Sequence, residues 1–149
     1  MPSYTYSFID VQATLVGIGG AINLGYGAAN ADEGIKIAQV NPKNTMLPGA
    51  DGNVMHSLRA SNAGTVTVTL LKTSPVNKQL MAMFNAQTLS SRTHGKNTIT
   101  VRDSARGDLH IASQAAFQKA PDINYQTEGD TVEWVFDCGQ ITNTLGDGE

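Results

Sequence analysis

The chain has 149 residues and a formal net charge of −3, a length that suits one domain burying about 68–70% of its unfolded surface. Only 15% of its residues are charged, against about 25% in an ordinary soluble domain, and Thr, Ser, Asn, Gln, Gly and Ala fill the gap. That balance excludes a basic field for holding nucleic acid. Because protein contact zones are depleted in Lys, Glu and Asp, it favours a subunit of a larger assembly.

Residues 3–16 alternate as one long strand whose phase slips. Tyr4, Tyr6 and Phe8 are even, whereas Ile9, Val11, Ala13 and Leu15 are odd, and a one-residue slip sends the apolar set to the opposite face. Either a bulge sits near Phe8–Ile9, or the first residues pack against something other than the strand's own core. The glycine-rich stretch 17–27 reads as loops with room for a short strand. A strand at about 34–40 carries Ile35 and Ile37. Residues 41–53 hold Pro48-Gly49 and Asp51-Gly52, two turn signals, and read as a long exposed loop. Alternation resumes over 54–60, so 34–72 reads as an antiparallel meander.

The strand at 64–72 is the cleanest in the chain. Val66, Val68 and Leu70 lie on one side, Thr65, Thr67 and Thr69 on the other, the pattern of one apolar and one polar face. The period then changes: Ser74 suits an N-cap and Pro75 a first helical position. Val76, Leu80, Met83 and Phe84 form one stripe of an amphipathic helix at about 75–86. After a polar loop, residues 97–103 (Ile99, Val101) and 108–119 (Leu109, Ile111, Ala115, Phe117) read as a hairpin turning at 104–107. Residues 131–141 place Val132, Trp134, Phe136 and Cys138 inward, and 142–149 reads as a mobile acidic tail. The expected fold is mainly β: an antiparallel β-sandwich or barrel with one short helix, a single domain over 1–149.

The residues carry no catalytic or cofactor signature. His56, His94 and His110 are scattered, without the ligand spacing of a zinc site. Gly17, Gly19 and Gly20 lack the third glycine and the following helix of a dinucleotide loop, and Gly95-Lys96 lacks a phosphate loop's partners. Cys138 is the sole cysteine, so no intrachain disulfide forms, and its strand parity makes it a buried thiol. Residues 1–20 show no secretory pattern, and no stretch approaches the about 20 apolar residues of a membrane span. Folding in a reducing cytoplasm, with no membrane anchor, is the expectation.

The sequence resembles the tail tube proteins of contractile-tailed bacteriophages, the phiTE-like tube group. The resemblance runs from Tyr4-Thr-Tyr-Ser-Phe-Ile-Asp-Val to Glu133-Trp-Val-Phe-Asp-Cys-Gly. It is densest in Asn44-Thr-Met-Leu-Pro-Gly-Ala-Asp-Gly-Asn-Val-Met-His-Ser-Leu58 and Thr65-Val-Thr-Val-Thr-Leu-Leu-Lys-Thr-Ser-Pro-Val-Asn77. The resemblance implies a structural virion protein with no catalytic residue and no cofactor, similar in fold to the inner tube of type VI secretion systems. It further implies six-membered rings stacked helically into a tail tube, with sheath, baseplate and tail terminator proteins as partners. Genome DNA would leave through the lumen without specific binding.

Three interaction regions are expected on that basis. Asn44, Thr45, Met46, Leu47, Pro48, Gly49, Ala50, Asp51, Gly52 and Asn53 contact the neighbouring ring, since a long excursion needs an ordering partner. Tyr4, Tyr6 and Phe8 pack between subunits, which would explain the phase slip. Thr65, Thr67 and Thr69 face the lumen, where a wet strand face has no reason to be apolar; the alternative is that they face solvent or another sheet. The rival readings are a tube subunit of a type VI-like or phage-derived injection system and, from another class, a ligand-binding β-sandwich.

Overall fold

The structure is a computed structural model that describes residues 5–18, 20–27, 30–127 and 129–146. Nine strands and one helix follow in the order β1 (Val11–Gly17), β2 (Gly20–Asn23), β3 (Asn30–Gln39), β4 (Asn44–Pro48), β5 (Val54–Leu58), β6 (Gly64–Leu71), α1 (Val76–Gln87), β7 (Asn97–Asp103), β8 (Asp108–Phe117) and β9 (Thr131–Thr144). Seven strands make one antiparallel sheet, β2-β1-β7-β8-β9-β6-β3, while β4 and β5 pair only with each other. The fold is mainly β with one helix, as the alternation predicts. One continuous hydrogen-bonded sheet of seven strands supplies the core.

That sheet curls around its own apolar face. Val11, Ala13 and Leu15 of β1, Ile99 and Val101 of β7, Val66, Val68 and Leu70 of β6 and Val132, Trp134, Phe136 and Cys138 of β9 all join one buried cluster. α1 closes it with Val76, Leu80 and Met83, the stripe expected from the helical period. Phe84 is half-buried and meets Phe117 edge-on at 5.6 Å, and Phe117 in turn packs on Phe136 at 4.8 Å. Trp134 donates its indole N–H to Asn77 Oδ1 at 3.1 Å. The helix begins at Val76, one residue later than expected, and the Ser74 hydroxyl accepts from the Val76 amide at 3.2 Å.

Five expectations are corrected. The strand expected over 3–16 begins only at Val11, because Phe8–Asp10 form a 3-10 turn that Ser7 caps. Tyr6 precedes that turn and Phe8 opens it, so neither follows the phase of β1. Tyr4 lies outside the described residues. The meander over 34–72 does not form: β3 pairs directly with β6, from Ile35 opposite Val68 to Gln39 opposite Gly64, and 40–63 is an excursion out of the sheet.

The loop expected over 41–53 contains a strand, β4, whose register runs from Asn44 opposite Leu58 to Pro48 opposite Val54. The tail expected over 142–149 is strand as far as Thr144, pairing with Leu109. Finally, Leu109 and Ile111 do not share a buried face with Ala115 and Phe117. A bulge at Gln114, with φ of 55°, switches the inward parity of β8, so Ala112 is buried before it and Ala115 and Phe117 after it.

Candidate functional site

The β4–β5 hairpin stands away from the core. All ten of its strand residues are exposed, although Met46, Leu47, Val54, Met55 and Leu58 are large and apolar. Cross-strand partners share a face, so Leu47 and Met55 project to one side with Thr45 and Ser57. Met46, Val54 and Leu58 project to the other with His56 and Pro48. Apolar groups on both faces describe a hairpin built to be covered on two sides. The last rung of the main sheet is Val40 N–H to Ala63 O at 3.1 Å, and the hairpin resumes with Arg59 N–H to Lys43 O at 2.8 Å. Its turn is held by Asp51, which accepts from the Asn53 amide at 3.1 Å, and by Gly49 N–H to Asn53 O at 2.6 Å.

A second feature is an open cleft of ≈ 460 Å³ where the edge strand β3 approaches the ends of β7, β8 and β9. Tyr6 and Phe8 wall one side; Ile35, Ile37, Val101 and Leu145 supply further apolar lining. Tyr6 is 62% exposed, whereas Phe8 is half-buried against the core. The cleft's two carboxylates and its histidine already have partners. Asp103 accepts from the Ala105 and Arg106 amides at 3.1 and 3.2 Å. Asp108 accepts from the Gly146 amide at 2.7 Å and lies 3.8 Å from Arg106. His110 Nδ1 is 2.8 Å from Asn143 Oδ1.

The threonine row lies on the face of β6 opposite its core residues. Thr65 and Thr67 are half-buried, between Lys36 and Ala38 of β3 and Val135 and Asp137 of β9. Thr69 is 5% exposed, so within the single chain it does not present a wet surface as its neighbours do. The structure therefore brings Tyr6 and Phe8 together in one cleft, gathers 44–53 into the hairpin, and leaves the threonine row on a separate face. Sequence reading missed Leu58, Val54 and Met55 as members of the hairpin patch and Ile35, Ile37 and Leu145 as cleft residues. Asp51-Gly52 between two alternating segments is the signal that points to a hairpin there.

Among the described residues no group of three or more His, Cys, Asp and Glu side chains is placed to hold a metal ion. His56 Nδ1 is 3.2 Å from the Asn44 amide nitrogen within the hairpin, far along the chain from His110 in the cleft. Cys138 is buried, and burial, helped by the nearby Asp137 charge, pushes its thiol up to about 11.

Solved structures share this fold at low identity. The sheath–tube complex of the PVC extracellular contractile injection system contains a chain matching with a TM-score of 0.63 and 12% identity, covering 95% of this chain and 93% of that one. A chain of the anti-feeding prophage tube-terminating cap matches at 0.61 and 11%, covering 98% and 95%. A chain of the PVC sheath/tube terminator matches at 0.61 and 11%, covering 95% and 98%. No curated protein matches the chain in sequence. The family model of the bacteriophage PhiTE tail tube protein matches residues 3–146. A structural rather than an enzymatic role follows, and the chain belongs to the bacteriophage PhiTE tail tube protein family.

Proposed function

We propose that the chain is the subunit of the inner tail tube of a contractile-tailed virion. Copies close into six-membered rings, and the rings stack into a hollow conduit inside the sheath, through which genome DNA leaves. Sheath, baseplate and tail terminator proteins are its partners, and assembly takes place in the host cytoplasm. The observation that carries this reading is the β4–β5 hairpin, apolar on both faces and uncovered in the single chain. A two-stranded hairpin is marginal by itself in water, and a head-to-tail contact that repeats without closure generates a stack.

Within that assembly the hairpin, including Asn44–Asn53, meets the neighbouring ring, and Tyr6 and Phe8 lie at a subunit boundary. Thr65 and Thr67 line the lumen; Thr69 supports them from a buried position. A formal net charge of −3 with few lysines suits a wall past which phosphates slide without binding.

Negative-stain microscopy of the purified chain tests the reading. Rings or tubes are expected from the natural sequence and only soluble subunits or single rings from Leu47→Asp/Met55→Asp. A chain that stays monomeric at high concentration, or long tubes from the double variant, would overturn it. A second reading, a tube subunit of a phage-derived injection system, is favoured by the matching injection-system structures. Neighbouring genes for capsid proteins or for a secretion apparatus separate the two.

A further inference from the structure

The hairpin and the cleft are two apolar features that the described residues leave uncovered, one projecting and one concave. We propose that the β4–β5 hairpin of one copy seats its apolar side chains in the Tyr6–Phe8–Leu145 cleft of another. This rests on the tube reading above and names the receiving surface for its contact.

Three observations favour a second copy as the occupant. The cleft offers apolar walls, while Asp103, Asp108 and His110 already have partners, so its charged groups are not left free to orient a small ligand. The cleft is open and ≈ 460 Å³ in volume, so its apolar lining stays in water until a partner covers it. Charge also matches: the base of the hairpin carries the cations Lys43 and Arg59, and the cleft carries Asp103, beside Asp108, which is already paired with Arg106. Such complementarity orients an encounter and sets its register. The hairpin's residues do not line the cleft of their own chain.

Cysteine pairing tests the seat. Met46 and Leu47 point to opposite faces of the hairpin, and Leu145 lies exposed at the cleft mouth. Met46→Cys or Leu47→Cys is combined with Leu145→Cys, and the concentrated protein is oxidised. Cys138 is buried and stays silent. At least one pair is expected to give a disulfide ladder extending beyond the dimer while neither single-cysteine variant gives an oxidised dimer, since alternating like-to-like bonds would otherwise build the same ladder. Bands no larger than dimers from both pairs would overturn the proposal. So would an intrachain bond that leaves monomer, or a small molecule released from the cleft on denaturation without any ladder. If tubes need Leu47 and Met55 but no ladder appears, the seat is wrong and the inter-ring reading survives. If tubes form from Leu47→Asp/Met55→Asp, the tube reading of the hairpin falls regardless of the ladder.

Discussion

Gln87 and Asn97 exchange two side-chain hydrogen bonds, each 2.7 Å, at sites only 1% exposed. The Gln87 amide also donates to the Ile18 carbonyl at 3.1 Å, so one pair ties the last residue of α1 to the start of β7 and to the β1–β2 turn. Removing one partner strands the other's amide away from water, at a cost of about 1–3 kcal/mol. Gln87→Ala is therefore expected to lower the unfolding free energy by at least that much in urea titrations. Gln87→Ala/Asn97→Ala should cost less than the sum of its singles, because the second truncation removes the stranded group. Strict additivity would show that the pair is not energetically coupled.

Gly17 belongs to the same relationship. A Cβ at this position would meet the Asn97 side chain, at Oδ1 and, 2.9 Å away, Cγ. Gly17→Ala should destabilise by about 1–3 kcal/mol, as an overpacked site does. In an Asn97→Ala background the obstructing amide is gone, and the same substitution should be nearly neutral. Thermal melts of the four proteins decide it: an unchanged penalty in the Asn97→Ala background would place the strain in the backbone.

How much of this was legible in the sequence depended on which interaction governed each segment. Where a strand lies inside the sheet without irregularity, as at Val132–Cys138 and, Thr69 apart, at Val66–Leu70, the period of two reports burial directly, and the helix stripe at Val76, Leu80 and Met83 does the same at 3.6. The pattern misleads where the backbone changes phase, at the turn before Val11 and the bulge at Gln114, because the bulge depends on what the opposite strand requires. Gln87 and Asn97 look like surface residues, since their burial depends on finding each other across ten positions. The hairpin was misread for another reason. Only its second strand alternates, its first being hidden among turn formers, and pairing with a neighbour rather than with β6 is a tertiary outcome that period alone does not encode.

Cys138 makes stability depend on alkaline pH. An ordinary thiol ionises at 9.0 and this one at about 11 when folded, so between those values the unfolded chain has lost a proton that the folded chain keeps. Unfolding stability then falls with rising pH across that window, levels off above it, and owes nothing to this group below it. The Tm difference between the natural chain and Cys138→Ala should be constant below pH 8.5 and shift in favour of the alanine variant towards pH 11. Comparing the two proteins cancels the titration of lysines and tyrosines common to both. A difference that stays flat would remove the thiol as the titrating group.

Gly52 tests whether the hairpin is an assembly element detached from the core. Its φ of 90° lies where a side chain is strained, and a β-branched residue there costs on the order of 1–3 kcal/mol. The hairpin's strands pair with each other and not with the seven-stranded sheet, so the strain is relieved by local opening while the core stays folded. Gly52→Val is expected to keep the thermal midpoint of the natural chain and to lose polymerisation, read as the disappearance of fast-sedimenting material. A midpoint lowered by the about 2–4 °C per kcal/mol expected of a domain this size would mean that the hairpin shares the core's cooperativity. Tubes formed at the natural rate would mean that the register of its turn does not matter to the contact.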